Sequence, residues 1–209
     1  MRSLLNARRR ATGALAALGL VLTACGSGDP PAVTYVLGPP PSMHASVEPL
    51  IGRPAVEVKP VLLPDYLDVS DLMVRRSDNV VAPSSTGRWG ERLSVGVTRA
   101  LTLDLQQRLP SADVTSIAPL HRAALQVLVE VEAFEPRAEG AVVLMARWQV
   151  VDAASGGLLA GERVSLTEQS MGNSDAAMAA GMSRAVDEFA TPVAAAVRAA
   201  LQRRGAAVG

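Results

Sequence analysis

Few side chains in this 209-residue chain could carry covalent, acid–base or metal chemistry: one cysteine, Cys25, two histidines, His44 and His121, and three aspartates spaced by three, Asp65, Asp68 and Asp71. A histidine base needs a nucleophile to deprotonate and an acid to orient its ring. His44 lies in the proline-rich stretch 39–49 with Glu48 four residues on, and His121 precedes Arg122. Neither has a serine, cysteine or acid at a spacing that compels a triad, so an enzyme would have to bring His44 or His121 to an acid and a nucleophile in one folded pocket. No His-Glu-x-x-His and no compact Cys/His group offers a zinc site. On a helix the three aspartates would share a side and could face a cation. Pro64 before them and a β-prone segment after them favour a turn instead, and the glycine and glutamate of a calcium loop are missing. They read as capping or solvated acids. Gly156-Gly157 lacks the lysine of a phosphate-binding loop, which removes an ATPase reading. The expectation is no catalytic residue, no metal and no cofactor.

Cys25 offers a different chemistry. Arg2, Arg8, Arg9 and Arg10 make a basic start, Ala11 to Leu22 an apolar run too short for a comfortable membrane span, and small Ala24 precedes the cysteine. These are the parts of an export signal, and Leu22-Thr23-Ala24-Cys25 reads as a bacterial lipoprotein processing site. Cleavage before residue 25 would remove residues 1–24 and leave the thiol as the attachment point for a diacylglycerol, with an N-acyl chain such as palmitate on the new terminus. Several acyl chains hold a soluble domain firmly where one would not. An ordinary secretory signal with a cysteine nearby, or an uncleaved anchor helix, would share the basic and apolar parts. Gly26, where an aspartate would retain the protein at the inner membrane, resembles the sorting signal for the outer membrane, facing the periplasm. Residues 25–31 then form the lipidated cysteine and a short tether, too short to carry the domain away from its membrane.

The remaining 185 residues suffice for one core. They carry 16 basic against 20 acidic residues, which gives no electrostatic case for nucleic acid. A single cysteine excludes a disulfide within the chain. Tyr35, Tyr66, Trp89, Phe134, Trp148 and Phe189 are the only aromatic residues, so Val, Leu and Ala must build the core, and the composition argues against a large sugar-stacking surface.

The elements that must position these residues follow from periodicity. Ala32 to Leu37 predicts a first strand, ended by Gly38 and the prolines after it. Val56, Val58 and Val61 predict a second, residues 64–68 a turn, Leu72 to Arg75 a third, and Val80-Val81 another short extended piece. Arg88 to Glu91 leads into a helix to about Arg108, with Leu93, Val97, Ala100, Leu101 and Leu105 at helical spacing. Asp104 interrupts that stripe and is expected at its edge or hydrogen-bonded, because a buried acid without a partner is costly. Asp113 to Ile117 predicts a short strand. Leu125 to Glu135, Ala141 to Val151 and Leu158 to Thr167 alternate as an antiparallel meander, with Val131 and Ala133 on the apolar face and Phe134 on the other. Asn173 or Ser174 caps a final helix whose inward stripe includes Met178, Met182, Ala185, Phe189 and Val193. Pro192 predicts a kink or two consecutive helices there. The expected fold class is α+β: a single two-layer domain over residues 32–204, a mixed, largely antiparallel sheet with two long helices packed mainly on one face, and a flexible tail at 205–209.

Several pieces occur in a telling order: Tyr35-Val36-Leu37, Val58 through Leu63, Pro64-Asp65-Tyr66-Leu67-Asp68, Met73-Val74-Arg75 and Arg88-Trp89-Gly90-Glu91-Arg92-Leu93. In that order, and with Phe134, Leu144 to Trp148 and the alanine-rich last helix, the chain resembles the ABC-type transport auxiliary lipoproteins, which include the PqiC-like subunits of membrane-integrity transport systems. Gly90 and Arg92 replace the alanine and proline of the commoner Arg-Trp-Ala-Glu-Pro-Leu form. The resemblance implies a non-catalytic outer-membrane component of an MCE-type lipid transport pathway for phospholipid or related molecules. Its partners would be an MCE-domain protein and an ABC permease/ATPase complex, with a homo-oligomeric ring as its form. Tyr66, Leu67, Met73, Arg75, Arg88 and Trp89 are then candidates for partner binding, combining apolar area with charged donors. Alternatively Trp89 docks the first helix and Tyr66 packs a corner. A stand-alone periplasmic lipid-binding lipoprotein and an envelope-assembly lipoprotein are the competing functional classes.

Overall fold

The computed structural model describes residues 31–39, 51–119 and 121–208, and the compact unit spans Ala32–Gly209. The expected signal segment, Cys25 and His44 lie outside the described residues. The expected α+β, two-layer class is the one observed. Strands and helices follow in the order β1 (Val33–Tyr35), β2 (Ala55–Val58), β3 (Asp71–Ser77), β4 (Val80–Trp89), α1 (Leu93–Arg108), β5 (Asp113–Thr115), β6 (Leu125–Pro136), β7 (Ala141–Asp152), β8 (Leu158–Gln169) and α2 (Asp175–Val208).

The strands divide between a larger sheet, β5-β2-β6-β7-β8, and a smaller one, β1-β4-β3. In the larger sheet β2 runs parallel to both β5 and β6, while β6, β7 and β8 form the antiparallel meander. Alternation works because one face is covered: Val127, Val129, Val142, Leu144, Trp148 and Val150 are buried against the helix layer. The register shifts between Val131 and Ala133, where β6 carries an irregularity against β7. This inverts the expected phase: Ala133 is only half-buried, whereas Phe134 pairs with Leu144 and is fully buried in the core. An extra residue in one strand moves every later side chain to the opposite face, which is why strict alternation misplaces Phe134.

Strand β4 is longer than the short piece expected around Val80, and Arg88 and Trp89 end it rather than lead the helix. Its composition, Ala82-Pro83-Ser84-Ser85-Thr86-Gly87, hides it, since proline lacks the ladder donor. The proline is accommodated where β4 pairs with β3 alone, because β1 covers only Gly87 to Trp89.

Helix α1 begins without a cap from its own Arg92; Asp68 supplies one from the preceding turn, accepting the Ser94 N–H at 2.9 Å and pairing with Arg92. Burial alone would raise the Asp68 carboxyl, but the Ser94 donors and Arg92 hold it below the usual carboxylate range. Helix α2 is capped by Ser174, whose Oγ accepts the Ala177 N–H at 3.2 Å. It runs as one helix through Pro192 rather than as two, and continues past Arg204 to Val208. Ala179, Ala190, Ala194 and Ala200 are buried along it, so the backbone comes close to its neighbours. Its first turn is fixed to the smaller sheet. Ser84 and Thr86 hydroxyls each donate to the Asp175 carboxylate at 2.7 Å, an acid that also suits a helix N-terminus. Gly87 permits this approach, since a Cβ there would lie 2.9 Å from the Asp175 carboxyl carbon.

Candidate functional site

The residues singled out by sequence divide into two groups. Leu67 and Trp89 are 1% and 6% exposed and belong to the core, so their side chains offer packing rather than a free surface. Met73 is half-buried and packs against the same core. Arg75 is tied inward: its Nε donates to the buried Glu135, and its Nη1 donates to the Asp78 carbonyl at 2.8 Å. Tyr66 Oη donates to the other Glu135 oxygen at 3.4 Å. Burial, then the Glu135 charge, pushes the Tyr66 hydroxyl above its ordinary range. The Ala138 N–H also donates to the Arg75 carbonyl at 3.1 Å, so this cluster joins β3 of the small sheet to the end of β6. A buried carboxylate needs such partners, and Arg75 provides the compensating charge.

Tyr66 and Arg88 remain accessible. Tyr66 is 42% exposed, and the Arg88 side chain is 41% exposed although its Nε pairs across the strands with Asp71 at 3.0 Å and its Nη1 donates to the Ser84 and Gly87 carbonyls at 3.2 and 3.1 Å. Beside Arg88, Val33 of β1 and Val36 just after it are exposed apolar side chains, and Thr34 lies opposite Arg88. Both departures from the commoner motif have structural counterparts here. A Cβ on Gly90 would meet the Thr34 and Val36 methyls at 3.2 and 3.3 Å, and Arg92 is the residue that pairs with Asp68. The aspartate series therefore separates by role: Asp65 is exposed, Asp68 caps α1 and Asp71 pairs with Arg88. His121 is exposed, and among the described residues no group of three or more His, Cys, Asp or Glu could hold a metal.

Two clefts were not visible in the sequence. One, of about 300 Å³, crosses the outer face of the larger sheet beside the exposed Leu62 and Leu128 and the Arg147–Glu130 ion pair at 2.6 Å. The other, of about 280 Å³, lies between α1 and α2 at the exit of β1, lined by Gly38, Pro39, Asp104, Gln107, Ser183 and Asp187 among others. Asp104 is neither at the edge of its stripe nor hydrogen-bonded through Oδ2: it is 2% exposed and that oxygen is buried without a partner. Burial first, then the nearby Asp187 charge, pushes its carboxyl up to about 6, and Arg108 offsets this only in part. The periodicity of α1 alone could not reveal it, because the residues around Asp104 come from α2 and the exit of β1.

The domain is a two-layer α+β fold whose accessible candidate residues, Tyr66 and Arg88, lie beside β1 and the turn before β3. The chain belongs to the ABC-type transport auxiliary lipoprotein component family, whose model matches residues 35–194. This family is non-catalytic. An uncharacterized protein of known crystal structure has 21% identity and a TM-score of 0.67, with 80% of this chain and 99% of that one covered. Protein XCC0632 from Xanthomonas campestris has 14% identity and a TM-score of 0.62, covering 83% and 99% respectively. These two likenesses establish the shared fold. No curated protein matches the chain. Among the described residues no helix is long and apolar enough to cross a membrane.

Proposed function

We propose that this chain is an outer-membrane lipoprotein that serves an ABC/MCE-type phospholipid transport system as a membrane-tethered adaptor or docking ring. The observation that carries the reading is the family match over residues 35–194, within which Tyr66 and Arg88 stay open to solvent. Cys25 bears the diacylglycerol and the N-acyl chain and holds the domain at the periplasmic face. An MCE-domain protein makes the direct contact, and ATP hydrolysis belongs to the permease/ATPase complex behind it. Tethering of many copies to one surface raises their effective concentration and favours a ring. The outer edge of β8, which ends its sheet, supports lateral association of copies.

The test is purification of the lipidated protein from its native envelope under mild detergent. Recovery of an MCE-domain protein, permease or ATPase with it is the expected result. Their consistent absence would sink the transport reading in favour of a stand-alone lipid-binding or assembly lipoprotein.

A further inference from the structure

We propose that the cleft between α1 and α2 is a binding site for a primary ammonium group, seated on the carboxylate of Asp104. The inference stands apart from the transport reading and rests on the charges around one buried acid. Asp104 Oδ2 is buried without a hydrogen-bond partner and the residue lines the cleft. Every nearby cation is committed elsewhere. On α1, Arg108 donates to the Asp187 carboxylate at 2.7 Å and to main-chain carbonyls, including that of Asp104 itself at 3.2 Å. On α2, Arg184 lines the cleft with its side chain but directs its guanidinium to Glu168 at 3.4 Å and to the Gln169 carbonyl at 2.8 Å. From the β1 exit, Gly38 and Pro39 contribute no charge. One negative charge that Arg108 offsets only in part is therefore left facing the cleft, with the Asp187 charge close enough to raise its cost.

The surrounding atoms select the kind of cation. An ammonium has three N–H donors and no acceptor. The cleft offers Asp104, the Gln107 amide oxygen and the Ser183 hydroxyl as acceptors; Ser183 already donates to the Ala179 carbonyl at 3.0 Å and accepts from the Gly38 N–H at 3.2 Å, leaving its second lone pair. A calcium ion would need about six to eight oxygen ligands, more than this set supplies. A quaternary ammonium calls for aromatic faces, and the lining has none. At about 280 Å³ the cleft holds an aminoalkyl headgroup but not an acyl chain.

Ethanolamine tests this directly, titrated into the purified protein at a pH of about 7.5, where Asp104 is ionised, and followed by amide shifts in NMR. Saturable movement of the Gly38, Asp104 and Ser183 amides is expected, with tetramethylammonium causing none. Asp104→Asn, which keeps the shape and removes the charge, should weaken ethanolamine binding about tenfold or more. No saturable shift, an equal response to tetramethylammonium, or undiminished binding by a folded Asp104→Asn protein would each overturn the proposal. None of these results depends on a transport partner, so failure here and failure of the transport reading are distinguishable.

Discussion

Asp104 holds a charge that the fold does little to compensate, and its pH dependence follows from that. Its carboxyl lies at about 6 in the folded protein, against about 3.9 in an unfolded chain. The folded state therefore keeps a proton that the unfolded state has lost between those values, so stability falls as pH rises from about 4 to about 6 and stays lowered above. Asp104→Asn is expected to raise stability by about 1–3 kcal/mol at neutral pH, with the gain fading below pH about 4. Urea unfolding of both proteins across this range measures it; a gain that persists undiminished in acid would contradict the charge explanation. Arg75 and Glu135 behave in the opposite way, because here the charges do meet. Arg75→Met leaves the Glu135 carboxylate, 3% exposed, without its cation, at an expected cost of about 3–5 kcal/mol. The double variant Arg75→Met/Glu135→Met should recover most of that loss, and a double-mutant cycle reads the difference. This pair shows why a residue chosen for a surface role can turn out to be architectural: its partner lies sixty residues away and no local pattern links them.

At the scale of elements, Pro192 is the clearest irregularity. It sits inside the 34-residue α2 and removes one donor from the helix ladder. Pro192→Ala should stabilise the protein by about 1–3 kcal/mol, read as a higher thermal midpoint, since alanine restores the donor and suits a helix interior. A lower midpoint would mean that the local geometry at the proline is needed for packing. The helices and the β6–β7–β8 meander were legible in the sequence because each buries one face, which leaves a period of 3.6 or 2 in the residues. Strand β4 was not, because its proline, serines and glycine carry no such signal and its place is set by pairing with β1 and β3. Strict alternation puts Phe134 on the wrong face because the β6 irregularity changes the phase without changing the composition. The contact candidates were legible only as segments. Burial of Leu67 and Trp89, and exposure of Tyr66 and Arg88, are decided by tertiary packing.

For the whole molecule, the proposed role is recognition of a transport partner. The family is an auxiliary transport component, the matched region spans most of the chain, and the accessible candidate residues are suited to contact. The Arg88–Asp71 pair is partly solvated, so Arg88→Ala should alter folding stability by less than about 1 kcal/mol while weakening partner association. Docking through this surface is read out by a photo-crosslinking side chain placed at Tyr66, and separately at Arg88, in cells carrying the native envelope system. An adduct with an MCE-domain protein or permease is expected from these positions, and none from Arg163 on the outer face of β8. Absence of such an adduct at both positions, in a folded and lipidated protein, would contradict it.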